Sequence, residues 1–360
     1  MKIKSVVVLG LGKVGTLVGT LLHKTGFEVT GADIYGKDNL PFPTIKTDMA
    51  NVDSFSEQLK SFDAVISCLP YSYNINVATA AHKLGIHYFD LTEDVPTTKA
   101  IIEMSKTAKS VMAPQCGLAP GFIAIVGASL ASNFTKIRSI KLRVGALPQN
   151  PTGLLGYAFN WSPEGVVNEY LNDCEVIENG QHKLVSPMEW IEQLFIHGIQ
   201  LEAFTTSGGL GTMCETYLGK VDNLDYKSIR YPGHVQQMNF FFHELLMRED
   251  RKKAGEILTN AKPAVNEDVV YVHASAEGLQ GSQLFREEFV NAYYPITIDG
   301  KQWRAISWTT AASACAIIEM VNSGSLQDRG FIKQEDISLK DFLQTKNGRL
   351  YNGENHGGNL

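Results

Sequence analysis

The first residues whose types and spacing could do chemistry are Gly10, Gly12 and Gly15, in the run Ser5-Val6-Val7-Val8-Leu9-Gly10-Leu11-Gly12-Lys13-Val14-Gly15. In a Gly-x-Gly-x-x-Gly the first glycine makes a tight turn, the second lets a pyrophosphate approach the backbone, and the third lets helix and strand pack closely. Lys13 and Val14 open the helix, where unpaired N–H groups and the dipole favour negative charge. Asp33 ends the run Phe27–Asp33 about 20 residues further on, where this fingerprint places a ribose-binding carboxylate. A carboxylate accepts from ribose hydroxyls and repels a 2′-phosphate, so the pattern predicts NAD over NADP, with Lys37 keeping NADP open.

The elements that must hold these residues are readable around them. Four consecutive apolar residues before Gly10 read as a strand buried on both faces, and Leu17, Val18, Leu21 and Leu22 give a helical period that Gly26 stops. Strand and helix then keep alternating: Ala64–Pro70, helix 76–84, His87–Leu91, helix 97–108, and Ser110–Ala113 before the loop Pro114–Gly121. Repeated βα units predict an α/β domain with a Rossmann-type doubly wound parallel sheet, its ligand crevice at the strand C-terminal ends. Asp33, Asp48, Cys68, Leu69, Pro70, Tyr71, Asp90, Glu93, Cys116 and Gly117 should line that rim. Asp48 reads equally as a ligand on the adenine side or as a plain helix cap.

After a helix at 122–132 the pattern changes. Ser139–Val144, Ser228–Tyr231 and Val269–Ala274 alternate, and Glu178-Asn179-Gly180-Gln181 is a hairpin turn, which predicts a second α+β domain with a largely antiparallel sheet. A small-residue helix, Thr309–Val321, is expected to return to the first sheet. The expected boundaries are 1–123 for the dinucleotide domain, 124–304 for the second, 305–347 for the return and 348–360 for a flexible tail.

Composition narrows the function classes. The chain has 360 residues, 19% charged, with a net charge of −6, so it offers no basic footprint for nucleic acid or an anionic membrane. Its apolar runs are far shorter than a bilayer span, and a cytoplasmic enzyme with a small-molecule substrate is the expectation. The cysteines are Cys68, Cys116, Cys174, Cys214 and Cys315, with no Cys-x-x-Cys, and no His pair flanks a Glu at helical spacing. Neither a disulfide framework nor a metal site is expected.

Several loops carry a more specific pattern. Leu118-Ala119-Pro120-Gly121, Gly145-Ala146-Leu147-Pro148, the run Leu155–Gly165, the run Glu202–Gly209 and Ile229-Arg230-Tyr231-Pro232-Gly233-His234 resemble the saccharopine dehydrogenase family, in order and over essentially the whole chain. Within it the resemblance is nearest to the lysine 6-dehydrogenase branch: Ala119 stands where the glutamate-forming saccharopine dehydrogenases have Asp, whereas Phe159-Asn160-Trp161-Ser162 looks more like the saccharopine type.

The resemblance implies hydride transfer between nicotinamide C4 and a nitrogen-bearing carbon of an amino acid, most directly the ε-carbon of L-lysine. Saccharopine oxidation, or a related imine reduction, is the alternative, and a dinucleotide-binding regulator without turnover is the reading from another class. The reaction needs a cation for the substrate carboxylate, a group for the amine and a proton acceptor. Arg230 is the choice for the first, because a guanidinium grips a carboxylate bidentately. By residue type alone an exposed arginine paired with a surface acid is the commoner reading, and the resemblance reverses it. Asp90, with Glu93 nearby, is placed for the amine. His234 has a side chain that titrates near operating pH, a water chain ending on Asp90 being the alternative proton acceptor. Tyr71 could close over the nicotinamide, Trp161 could wall the substrate chain and Thr206 could bind carboxylate, each having an ordinary packing role as its alternative. Family members of this kind imply a homodimer, with Phe240, Phe241 and Phe242 as interface or core.

Overall fold

The computed structural model describes residues 2–48 and 52–352. They divide into two compact units, one formed by the chain up to Phe122 together with the residues from Ser307 on, the other by Ile123–Ile306.

The first unit holds strands β1 (Ser5–Leu9), β2 (Glu28–Asp33), β3 (Thr44–Lys46), β4 (Ala64–Ser67), β5 (His87–Asp90) and β6 (Val111–Ala113), and helices α1 (Lys13–Thr25), α2 (Val52–Leu59), α3 (Asn74–Leu84) and α4 (Val95–Ser105). With a last short strand, Gly330–Phe331, they make a seven-stranded sheet in the order Gly330–Phe331, β6, β5, β4, β1, β2, β3. Every pairing is parallel. Val6, Val7, Val8 and Leu9 are all buried, as an unbroken apolar strand covered by helices on both sides requires. Strand order reverses at β1, so the loops after β1 and β4 lie side by side, the place where open α/β sheets bind ligands.

The second unit is built on an eight-stranded sheet. Its strands are β7 (Lys136–Pro148), β8 (Cys174–Glu178), β9 (Gln181–Val185), β10 (Glu192–Ile196), β11 (Ile199–Thr205), β12 (Asn223–Arg230), β13 (Asp268–Gln280) and β14 (Gln283–Tyr293). The main path runs β10, β11, β12, β7, β13, β14, with β8 on β12 and β9 on β8. Only β12 with β7 is parallel among these pairs; the others are antiparallel. A separate hairpin joins β15 (Ile296–Ile298) to β16 (Lys301–Trp303). Helices α5 (Ile123–Ala131), α6 (Pro163–Leu171), α7 (Met213–Tyr217), α8 (His234–Asn239) and α9 (Arg251–Ala261) complete the unit. Its core gathers Leu147, Tyr170, Leu201, Phe204, Ile229 and Phe242. Of the three consecutive phenylalanines only Phe242 is fully buried, and Phe240 is exposed.

Helix α10 (Ala305–Ser323) carries the chain back, and Trp308, Ala312, Cys315, Ile317 and Ile318 are all fully buried. A helix that is apolar nearly all round belongs in an interior. The final strand, β17 (Gly330–Phe331), is followed by the short α11 (Leu339–Phe342) and a 3-10 turn at Gly348–Asn352. There the ring of Tyr351 stacks on Phe122 with centroids 3.9 Å apart, and its hydroxyl donates to the Thr309 carbonyl. The expected tail therefore does not begin at 348, because a buried aromatic anchors the chain through Tyr351; residues 353–360 lie outside the described residues. Among the described residues no helix is long and apolar enough to cross a membrane.

Candidate functional site

In the first unit the glycine loop is assembled by close backbone packing. Gly10 has φ of 84°, which an L side chain rarely adopts, and a Cβ there would come within 3.0 Å of the Cys68 carbonyl. A Cβ on Gly15 would stand 1.9 Å from the Gly10 carbonyl oxygen, so α1 can approach the loop only without one. Gly12 differs from both: nothing lies within 4 Å of where its Cβ would be. It is also the N-cap of α1 and supplies no side-chain cap. An open, side-chain-free approach to the start of a helix is what a pyrophosphate needs, and Lys13 and Val14 stand beside it. Leu69 and Cys68 are half-buried and Pro70 exposed on the neighbouring loop. Burial and Asp90 push the Cys68 thiol up to about 12, so it remains a neutral wall.

The acids of this rim are engaged by the protein itself. Asp33 accepts from the Leu11 amide at 2.8 Å through one oxygen and from the Tyr35 amide at 3.1 Å through the other. It is thus a clamp on the glycine loop. Asp90 is fully buried and accepts from the Tyr88 hydroxyl (2.6 Å), the Thr92 amide (2.9 Å) and the Gln115 amide (3.0 Å). Burial lifts its carboxyl to about 6, against the lowering effect of those three donors. The sequence places Asp90 on the rim as an amine ligand; the structure turns it inward, to hold Gln115 in a left-handed conformation (φ 67°) ahead of Cys116 and Gly117. Asp94 caps α4 through the Thr97 amide. Glu93 and Tyr71 are half-buried, Asp48 exposed and Gly117 buried.

Two lysines occupy the end of β2. Lys37 donates to the Leu11 carbonyl (3.0 Å) and the Thr16 hydroxyl (2.9 Å). Lys46 sits opposite Asp33 in the β2/β3 register, its side chain against Gly36. Tyr35 is 83% exposed beside them.

In the second unit a polar cluster surrounds Arg230 at the end of β12. Arg230 is 3% exposed. Its Nε donates to the Tyr170 hydroxyl at 2.7 Å and its Nη1 to the Ile229 carbonyl at 2.8 Å, while Nη2 lies 3.8 Å from a Glu169 carboxylate oxygen. The guanidinium carbon lies 4.8 Å from the Tyr157 ring centroid and 5.5 Å from that of Tyr170. Burial lowers the affinity of this guanidinium for its proton, but Tyr170, Tyr157 and Glu169 outweigh it and keep the charge.

His234 completes the chain of hydrogen bonds. Its Nδ1 meets the Leu155 carbonyl at 2.8 Å and its Nε2 the Tyr170 hydroxyl at 3.0 Å. A carbonyl only accepts, so the network assigns the proton to Nδ1 and leaves Nε2 accepting from Tyr170. Burial, with Arg230 adding repulsion, depresses this imidazole to about 3. The expectation of a histidine titrating near operating pH is therefore corrected: His234 is neutral and orients Tyr170. Glu202 holds the same turn, accepting from the Gly233 amide (2.9 Å) and the Val235 amide (2.8 Å).

Thr206 is buried, its hydroxyl bonded to that of Ser228 at 2.9 Å. Trp161 donates to the Tyr157 hydroxyl at 3.1 Å and so braces one ring against Arg230. The structure brings Arg230, His234 and, through Tyr157, Trp161 into one cluster. Sequence reasoning missed Tyr157, Glu169, Tyr170 and Glu202. One signal was available for Glu169: Ser162 caps α6 with Pro163 following, and Val166, Val167 and Tyr170 form the buried face. An acid at i+3 from Val166 borders that face.

Fold and glycine loop together define a Rossmann-type dinucleotide-binding protein with an added mixed-sheet unit. The saccharopine dehydrogenase NADP-binding domain matches residues 6–114 and the saccharopine dehydrogenase C-terminal domain residues 117–350. The chain belongs to the saccharopine dehydrogenase family. It is 23% identical over 256 residues to the NADP(+), L-glutamate-forming saccharopine dehydrogenase of Pyricularia oryzae, covering 66% of this chain and 56% of the relative. It is 27% identical over 143 residues to the enzyme of the same name from Schizosaccharomyces pombe, covering 38% and 32%. The chain thus spans about a third to a half of the length of these relatives. Apo saccharopine dehydrogenase (L-Glu forming) from Saccharomyces cerevisiae shares its fold with a TM-score of 0.71 at 15% identity, over 94% of this chain and 97% of that one.

These matches overturn the expectation of NAD, since the matching domain is an NADP-binding one and both relatives are named for NADP(+). Asp33 does not by itself favour NAD: its oxygens accept from the Leu11 and Tyr35 amides, so an acid at this position also serves to hold the glycine loop.

Proposed function

We propose that the chain is an NADP-dependent oxidoreductase acting on a carbon–nitrogen bond of an amino acid of the lysine and saccharopine class. The observation that carries the reading is the buried Arg230, lying over the ring of Tyr157 and beside Tyr170 with Glu169 next to it. A guanidinium has five N–H groups, and among the described residues two hydrogen bonds from it go to protein acceptors. The rest suit a carboxylate, and Glu169 suits the ammonium of the same amino acid, so a cation and an anion 3.8 Å apart match a zwitterion. His234, neutral and bonded to Leu155, fixes the Tyr170 hydroxyl that in turn fixes Arg230.

For the cofactor, Gly12 and the first turn of α1 would hold the pyrophosphate, and Lys37 and Lys46 the 2′-phosphate. When bound, the nicotinamide supplies the hydride acceptor or donor. Replacing both lysines by Ala should weaken NADPH binding about tenfold or more, with NADH changed less than about twofold, at roughly 1 kcal/mol per exposed charge contact; equal losses for the two cofactors would reject the assignment.

Ala119, half-buried in the segment Leu118–Phe122, favours L-lysine over saccharopine, whereas the matched relatives' names favour saccharopine. Initial rates of NADPH formation with NADP⁺ and each amino acid at equal concentration decide between them. No turnover with either would reject the proposed substrate class.

A further inference from the structure

We propose that the second unit carries a site for a zinc-class divalent cation, formed by Glu175, His182 and Cys214. Two separate stretches of chain supply the ligands, the hairpin of β8 and β9 and the helix α7, which is why no spacing in the sequence announces it. Glu175 on β8 and His182 on β9 share one face of the hairpin, in the register Glu175↔Leu184 and Ile177↔His182. Such diagonal pairs bring long side chains within reach of each other, and Nε2 of His182 lies 3.9 Å from a Glu175 oxygen.

The hairpin turns at Asn179 and Gly180, with φ of 53° and 76°. Two successive positive φ values are the type I′ combination, which matches strand twist and fixes the hairpin geometry. Helix α7 packs on β8 and contributes Cys214. The carboxylate oxygen, imidazole nitrogen and thiol sulfur then all lie within 4.8 Å of one another. Tetrahedral coordination with bonds of about 2.0–2.3 Å needs donor atoms a little under 4 Å apart. Rotation of the Glu and His side chains, which are 22% and 41% exposed, can close that gap.

Exposure also grades the site. Cys214 is 4% exposed, so a cation would rest on a buried sulfur and be reached from the histidine side. Three protein ligands leave one position for water. A thiolate with an imidazole selects zinc-class ions over Mg²⁺ or Ca²⁺, which prefer all-oxygen shells. Bound there, the ion would tie the β8/β9 hairpin to α7, elements separate from the Arg230 cluster.

The test uses the untagged full chain stripped of metal. Titration with Zn²⁺, read by metal analysis after desalting, should show one equivalent bound. Co²⁺ in its place should give a thiolate-to-cobalt charge-transfer absorption. His182→Gln and Cys214→Ser should each weaken Zn²⁺ binding by at least about tenfold, and Cys174→Ala should leave it unchanged. His182 is exposed, so its variant keeps the test valid if Cys214→Ser misfolds. Binding of less than about a tenth of an equivalent at micromolar Zn²⁺, a cobalt spectrum without the thiolate band, or full binding by His182→Gln would each overturn the proposal.

Discussion

The two units position their polar groups by opposite routes. In the first, the ligand-facing feature is a stretch of six residues, Gly10 to Gly15, whose shape comes from what is missing: no Cβ fits at Gly15, none is tolerated at Gly10 and none obstructs Gly12. In the second, the feature is a set of large side chains from α6, β12, α8 and the loop before α6, each fixed by another: Arg230 by Tyr170, Tyr170 by His234, and Tyr157 by Trp161. Backbone geometry specifies a site that reads phosphate on any dinucleotide. Interlocked side chains specify one that can discriminate a substrate, and they are the more easily broken by a single polar substitution.

That contrast is broken most forcefully at Gly15. Gly15→Ala puts a methyl group 1.9 Å from a backbone oxygen that cannot yield, and the first unit should lose more than about 4 kcal/mol in urea unfolding, among the largest single-site effects. A loss below about 1 kcal/mol would mean that α1 can slide, and that the loop is less rigid than its packing shows.

Next in size is Arg230→Ala, which removes the proposed carboxylate contact and the cation beside Glu169. Removing one partner of a buried charge-assisted contact to a ligand costs about 2–5 kcal/mol of binding, so kcat/KM should fall by at least about a hundredfold. Arg230→Lys should restore little, because an ammonium cannot both bond Tyr170 and present a planar fork. Recovery to within about threefold by Lys would make Arg230 a packing residue.

The same contrast explains what was legible beforehand. Strand, glycines and helix of the first unit are consecutive, so period and composition read them directly, and the parallel sheet follows from repetition. Residue type could not tell which partners the two acids, Asp33 and Asp90, would take, because an Asp at a strand end is as able to accept from a neighbouring backbone amide as from a ligand. In the second unit Arg230 stands out through its resemblance to a family motif, whereas Glu169 and Tyr170 lie 61 and 60 residues away in sequence. The depressed pKa of His234 arises from burial and from Arg230, neither of which its local sequence displays.

Titration sharpens the comparison, since the units should respond to pH with opposite sign. Asp90 has a folded value of about 6, above the usual carboxylate range; its contribution to stability is complete below about pH 4 and is lost as pH rises through 6. His234 has a folded value of about 3, below that of free imidazole; its contribution is present above about pH 6.5 and is lost as pH falls toward 3. Between pH 4 and 6, the stability of Asp90→Asn relative to wild type should therefore rise by about 2–3 kcal/mol, at 1.36 kcal/mol per unit. Relative to wild type, His234→Gln should become less stable over the same rise in pH, by a similar amount. Parallel stability curves for wild type and Asp90→Asn would show that Asp90 is not desolvated as its burial requires.

The smallest effect separates binding from folding within the glycine loop itself. Gly12→Ala adds a methyl group into open space at an N-cap, where Gly and Ala differ by no more than about 1 kcal/mol. Thermal unfolding of the free protein should therefore move by only a few degrees, on the order expected for that energy. The added methyl group stands where the pyrophosphate must approach the backbone, so NADPH affinity measured by fluorescence titration should fall by about tenfold, or 1.4 kcal/mol. Affinity unchanged in Gly12→Ala would move the phosphates off this helix end and make the loop's close packing at Gly10 and Gly15 a purely structural feature, whereas a protein that binds poorly but unfolds like wild type fixes Gly12 as the point of approach.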